Sequence, residues 1–187
     1  MVKGLVRPEQ VAENMYVCTP AVALHDVLAY RAPLVLRLNR WLLRLQIQGA
    51  MRTLGFPGRP LVAWIYHPYQ LHYVRMLDEA LTVYECYDEH SLADGVGPRE
   101  RQVVSELERR LFAQCDVCFT TSRRLWEAKR QLAKEMHVFN NAADAEFFGQ
   151  VLKPETSVAA ELRDRPRPIV GYLGFHIDRA DLALIRH

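Results

Sequence analysis

No Walker loop, G-x-G-x-x-G, G-x-S-x-G or H-E-x-x-H occurs in the 187 residues. Kinase, dehydrogenase, hydrolase and zincin readings therefore lack their usual marks. Charge of one sign is scarce as well, with 24 lysines and arginines against 22 acids and a net charge of +2. That balance, without any basic run interleaved with aromatics, argues against nucleic acid as a partner. Residues 1–8 hold no apolar stretch of signal-peptide length, and arginines break the longest apolar segments well short of a membrane span. The expectation is a cytoplasmic protein. Only four cysteines occur, Cys18, Cys86, Cys115 and Cys118, scattered as suits reduced thiols. Cys115 and Cys118 form a C-x-x-C, yet an offset of three turns the two side chains to opposite faces of a strand, and no second ligand pair stands at metal spacing.

What is present is a soluble-domain composition, 50% hydrophobic, sufficient to build a core. The chain is organised around residues 61–89, which read as a βαβ unit. Leu61 to Tyr66 is a continuous apolar run, as in a parallel strand covered on both faces, and Pro68 stands where a helix can start without losing a backbone donor. Leu81 to Cys86 repeats the pattern and runs out into Tyr87, Asp88, Glu89 and His90. Ligands of open α/β sheets bind beyond the carboxyl ends of the strands, which makes His67, Asp88 and Glu89 candidate site residues. His67 is suited to hydrogen-bond a hydroxyl or act as a base.

Around this unit, Met15 to Cys18 reads as a weak strand and residues 21–33 as irregular. Residues 34–54 read as a helix with Leu34, Leu38, Trp41, Leu42 and Leu45 on one face and Arg37, Arg40 and Arg44 on another. Such a helix either packs its apolar stripe on the sheet or lies on an anionic membrane, at the inner face of which the protein would then be peripheral. Helices are expected over 100–113 and 123–134, strands over 116–120 and 136–139, and weak helix over 150–163. Ser122 is placed to cap the second helix, or to hold a phosphate or sugar hydroxyl with the amides there. Glu85 interrupts an apolar strand, so a buried carboxylate there requires an arginine, histidine or tyrosine partner. Composition at 163–168 marks a linker, followed by a strand over 169–173 with Gly171 and Gly174 at its exit and a final helix starting at Asp178.

The stretches WIYHP (64–68), VYECYDEH (83–90), DVCFTTSRRL (116–125), NNAADAEFF (140–148) and RPIVGYLGFHIDRADLALI (167–185), in that order, resemble bacterial glycosyltransferases of the GT-B fold, in the family 4 group often called family 1 glycosyltransferases. The resemblance implies a Rossmann-like, doubly wound parallel sheet of the α/β class. It implies an acceptor-side domain over 1–163, lacking its first Gly-rich βα unit, and over 164–187 a linker and the opening βα unit of a nucleotide-sugar domain. It implies retaining sugar transfer from a nucleotide-sugar to a polysaccharide or lipid-linked acceptor, with no cofactor beyond that co-substrate and no metal required. By position, His67, Asp88 and Glu89 would face acceptor and transferred sugar. Asn141 and Asp144, in the loop before the second domain, would contact substrate, and Gly171, Gly174 and Arg179 would meet the diphosphate; Glu85 and Ser122 join the substrate-binding candidates from the reading of the residues themselves. The sequence departs from the pattern in lacking the family's glutamate pair, so the chain reads as a fragment. Its rivals are a non-catalytic α/β module needing a partner chain, and a small hydrolase using Asp88 or Glu89 with His67.

Overall fold

The computed structural model describes residues 7–56, 58, 60–93, 95–171 and 181–185. The chain divides into two units, Met1–Asn141 and Ala142–His187. The first begins with a hairpin, β1 (Glu9–Ala12) and β2 (Met15–Val17), turned at Asn14 with φ +57°. A one-turn helix α1 (Asp26–Ala29) and the long helix α2 (Pro33–Thr53) follow. The centre is a sheet of four parallel strands, β3 (Val62–Ile65), β4 (Leu81–Cys86), β5 (Val117–Thr120) and β6 (Met136–Val138), hydrogen-bonded in chain order. With helices flanking it, this is the Rossmann-like α/β architecture expected from the apolar runs.

Register decides the two faces. Tyr84 lies opposite Ile65 and Cys118, and Cys86 opposite Thr120, so these side chains share one face. Helix α3 (Pro98–Gln114) covers it with Val104, Leu107, Glu108, Leu111 and Phe112, a stripe at helical spacing. Pro98 fixes φ in the first turn, where its missing N–H costs no hydrogen bond. Phe112 meets Tyr84 edge-on at 5.0 Å, and both are fully buried; burying each such side chain contributes about 1.5–3 kcal/mol. On the opposite face Trp64 stacks on Phe119 at 5.5 Å, while Val62, Trp64, Tyr66 and Phe139 remain exposed.

Helix α2 corrects the expected packing. Its buried residues are Leu36, Asn39, Leu43 and Ala50, whereas Leu34, Leu38, Trp41 and Leu45 face outward. The cause is polar and long-range. The fully buried Asn39 accepts from the Ala23 amide (2.8 Å) and donates to the Leu24 carbonyl (2.7 Å). One heptad later Gln46 accepts from the Ala21 amide (2.8 Å) and donates to its carbonyl (2.9 Å). Arg40 donates to the carbonyls of His72, Val74 (3.1 Å) and Arg75 (3.0 Å). Buried amides and carbonyls need partners, so residues 21–24 and 72–75 claim this side of the helix.

Two further expectations are corrected. The helix after Pro68 is a 3-10 turn, Pro68–Tyr73, closed by a side-chain box in which Gln70 Oε1 accepts from the His67 amide at 3.0 Å. The chain then turns through Arg75 (φ +56°), whose guanidinium grips both Asp116 oxygens at 2.5 and 2.7 Å. The helix expected over 123–134 stops as α4 (Arg123–Lys129), with a 3-10 turn, Arg130–Leu132, after it. In the second unit, residues 169–171 pair with no strand among the described residues, and residues 172 and 173, the rest of the expected strand, lie outside them. The helical content there is α5 (Ala145–Gly149), α6 (Ala160–Arg163) and α7 (Leu182–Ile185), with a 3-10 turn at Gln150–Leu152.

Candidate functional site at the carboxyl ends of the strands

Four parallel strands ending on one side collect the side chains that follow them. His67 comes directly after Tyr66 at the end of β3, residues 87–91 follow β4, and residues 121–122 follow β5. His67 Nδ1 accepts from the Tyr69 amide at 3.3 Å, which leaves the ring proton on Nε2. In that state His67 is suited to donate a hydrogen bond rather than to abstract a proton. Its ring lies parallel to Tyr69 (5.4 Å) and meets His90 at 4.9 Å.

The two neighbouring carboxylates after β4 part company. Asp88 is exposed, and its Oδ1 accepts from the Glu89 amide at 2.7 Å. Glu89 turns inward: Oε1 accepts from the Ser91 hydroxyl at 2.8 Å, and Oε2 pairs with Lys129 Nζ at 3.0 Å. Burial alone would raise the Glu89 carboxyl, but Ser91 and Lys129 together hold it below its usual range. Lys129 is 6% exposed, and its ammonium also reaches Glu108 Oε2 at 2.6 Å. Glu108, 4% exposed, accepts in turn from the Tyr84 hydroxyl (2.9 Å) and the Cys86 thiol (3.4 Å). Burial opposes the charge on Lys129, yet Cys86, Glu108 and Glu89 outweigh it and hold the ammonium above its ordinary value. The result is a closed ionic network under the site, in which two carboxylates share one cation.

His90 is the second buried group. It is 6% exposed, its Nε2 has no hydrogen-bond partner among the described residues, and its ring meets Tyr87 at 4.9 Å. Burial, then the nearby His67 ring, lowers its pKa, so it is neutral at pH 7. An exposed carboxylate and the half-exposed Tyr87 ring, backed by the buried neutral His90 imidazole, thus stand together. Those groups match a ligand with both hydroxyls and apolar ring faces.

Glu85 projects from the open face of the sheet, partly accessible, and accepts from the Trp64 indole at 2.9 Å. The partner is neither arginine, histidine nor tyrosine, because that face is uncovered and its carboxylate keeps solvent. Ser122 accepts from the Leu125 amide at 3.3 Å and caps α4. Beside it Thr121 donates to the Tyr87 carbonyl at 2.9 Å. Asn141 is exposed at the end of the first unit, and Asp144 caps α5 in the second through the Phe147 amide (2.8 Å). Gly171 is exposed, while Gly174 and Arg179 lie outside the described residues.

Sequence reasoning missed Lys129, Glu108 and Tyr84. A signal existed for one of them: Glu108 falls among Val104, Leu107 and Leu111 on the inward stripe of α3, and an acid there demands a cation. No family model, curated protein or solved structure matches the chain.

Proposed function

We propose that this chain is the acceptor-side part of a glycosyltransferase of the GT-B type, carrying the sugar-facing groups at the carboxyl ends of β3 and β4. One observation carries the reading: His67, Tyr87, Asp88 and His90 converge from adjacent parallel strands, with Tyr87 and His67 both ring-to-ring with His90. Asp88 supplies a hydroxyl partner, Tyr87 supplies a stacking surface, and the buried His90 ring holds Tyr87 and His67 in place. Glu89, tied to Lys129, serves to hold the loop that presents them. Transfer draws the sugar from a nucleotide-sugar bound by a second domain.

Calorimetric titration with UDP, GDP and their sugars, alongside saturation-transfer NMR with oligosaccharide acceptors, tests the two halves separately. Acceptor binding that disappears in Asp88→Asn and His90→Ala supports the reading. Absence of any saccharide signal at millimolar ligand refutes it. A second reading, a non-catalytic subunit completed by a partner chain, is favoured by the exposed Val62, Trp64, Tyr66 and Phe139 on the open face, since parallel sheets are normally covered on both sides. Concentration-dependent mass in light scattering, lost in Trp64→Ser, would support it.

A further inference from the structure

Helix α2 presents an apolar seam to solvent. Leu34, Leu38, Trp41 and Leu45 recur at intervals of four, three and four residues, which places them along one line of the helix. They are 77, 45, 57 and 49% exposed. The helix that carries them, PLVLRLNRWLLRLQIQGAMRT, contains four arginines and no acid. Arg37 and Arg52 are exposed, Arg44 pairs with Asp78 at 2.9 Å, and Arg40 points to the carbonyls of residues 72–75. Along the Arg37 side runs a groove of about 450 Å³ whose lining includes Arg37, Arg40, His72 and Arg110, and no acidic residue.

We propose that α2 is a bilayer-docking helix, lying in the plane of an anionic membrane surface with the Leu34–Leu38–Trp41–Leu45 seam toward the acyl chains and the Arg37–Arg40–Arg110 groove receiving a lipid phosphate. Charge selects this occupant. Pairing of two copies along the same seam would bring the exposed Arg37 and Arg52 of both copies together, and the helix itself carries no acid to relieve them, whereas coiled-coil partners rely on opposite charges beside the seam. An anionic surface meets the exposed Arg37 and Arg52 favourably, at about 1 kcal/mol each, which is about fivefold in partitioning. Leucines with a tryptophan on the apolar side and arginines beside it are the composition of helices that lie at the headgroup boundary. The mode is peripheral, since no helix among the described residues is long and apolar enough to cross a membrane. Docking requires nothing of the His67–His90 cluster.

The test is co-sedimentation of the 187-residue protein with vesicles of phosphatidylcholine alone and of phosphatidylcholine with phosphatidylglycerol at roughly 3:1. Binding is expected only to the anionic vesicles, and raising salt from about 0.1 to 0.5 M weakens it. Trp41→Glu is expected to reduce partitioning about tenfold or more, and the pair Arg37→Glu with Arg110→Glu by at least about 25-fold, from two losses of about fivefold. All three side chains are exposed, so unchanged thermal melts show that the variants fold. Equal binding to both vesicles, no binding at millimolar lipid, or binding indifferent to Trp41→Glu overturns the proposal. A dimer that Trp41→Glu converts to monomer, without vesicle binding, overturns it in favour of a protein interface.

Discussion

Replacing Lys129 by methionine removes the only cation from the buried network beneath the site. Glu108 then keeps just the Tyr84 hydroxyl and the Cys86 thiol as donors, and its second oxygen, formerly 2.6 Å from the ammonium, is left without a partner at 4% exposure. Removing one member of a buried ion pair costs about 3–5 kcal/mol. With a urea slope of about 2 kcal/mol/M, the unfolding midpoint falls by about 1.5–2.5 M. Urea titrations followed by circular dichroism at pH 8 check the size. Lys129→Met with Glu108→Gln removes both charges and should recover most of the loss, which keeps the argument testable if the single variant does not fold. A loss below about 1 kcal/mol for Lys129→Met at pH 8 would refute the claim that this pair is closed to water.

Ser122→Ala deletes the hydroxyl that caps α4 and should cost about 1 kcal/mol, read as a shift of the urea midpoint with no change in slope. His90, whose folded pKa lies below its ordinary 6.5 through burial, binds a proton more readily unfolded than folded. Its contribution is complete above pH 6.5 and is lost as pH falls through the folded pKa; acid destabilisation beginning just below pH 6.5 should flatten in His90→Gln. Burial pushes the thiols of Cys86, Cys115 and Cys118 up to about 12, so a thiol reagent at pH 8 should label only the partly accessible Cys18 in the native protein and all four cysteines in urea.

Much of the fold was written in local pattern. The apolar runs over 61–66 and 81–86 are strands because each is a short, nearly unbroken apolar stretch, and α3 is a helix because Val104, Leu107 and Leu111 recur at its period. Ser122 and Asp144 cap helices because a side-chain oxygen just ahead of a helix finds a bare amide three residues on. The ends of β3 and β4 followed from those same patterns, and with them the neighbourhood of His67 and His90. What one segment could not determine was its partner. Helix α2 carries leucines on both sides, and the inward side was decided by amides and carbonyls of residues 21–24 and 72–75, which only tertiary contact brings to Asn39, Gln46 and Arg40. Asp88 and Glu89 are indistinguishable as adjacent acids; Lys129, forty residues further along the chain, draws one inward and leaves the other in solvent. Periodicity is a property of neighbours and the sequence states it, whereas the satisfaction of a buried charge or amide depends on residues far along the chain and is settled only when they meet.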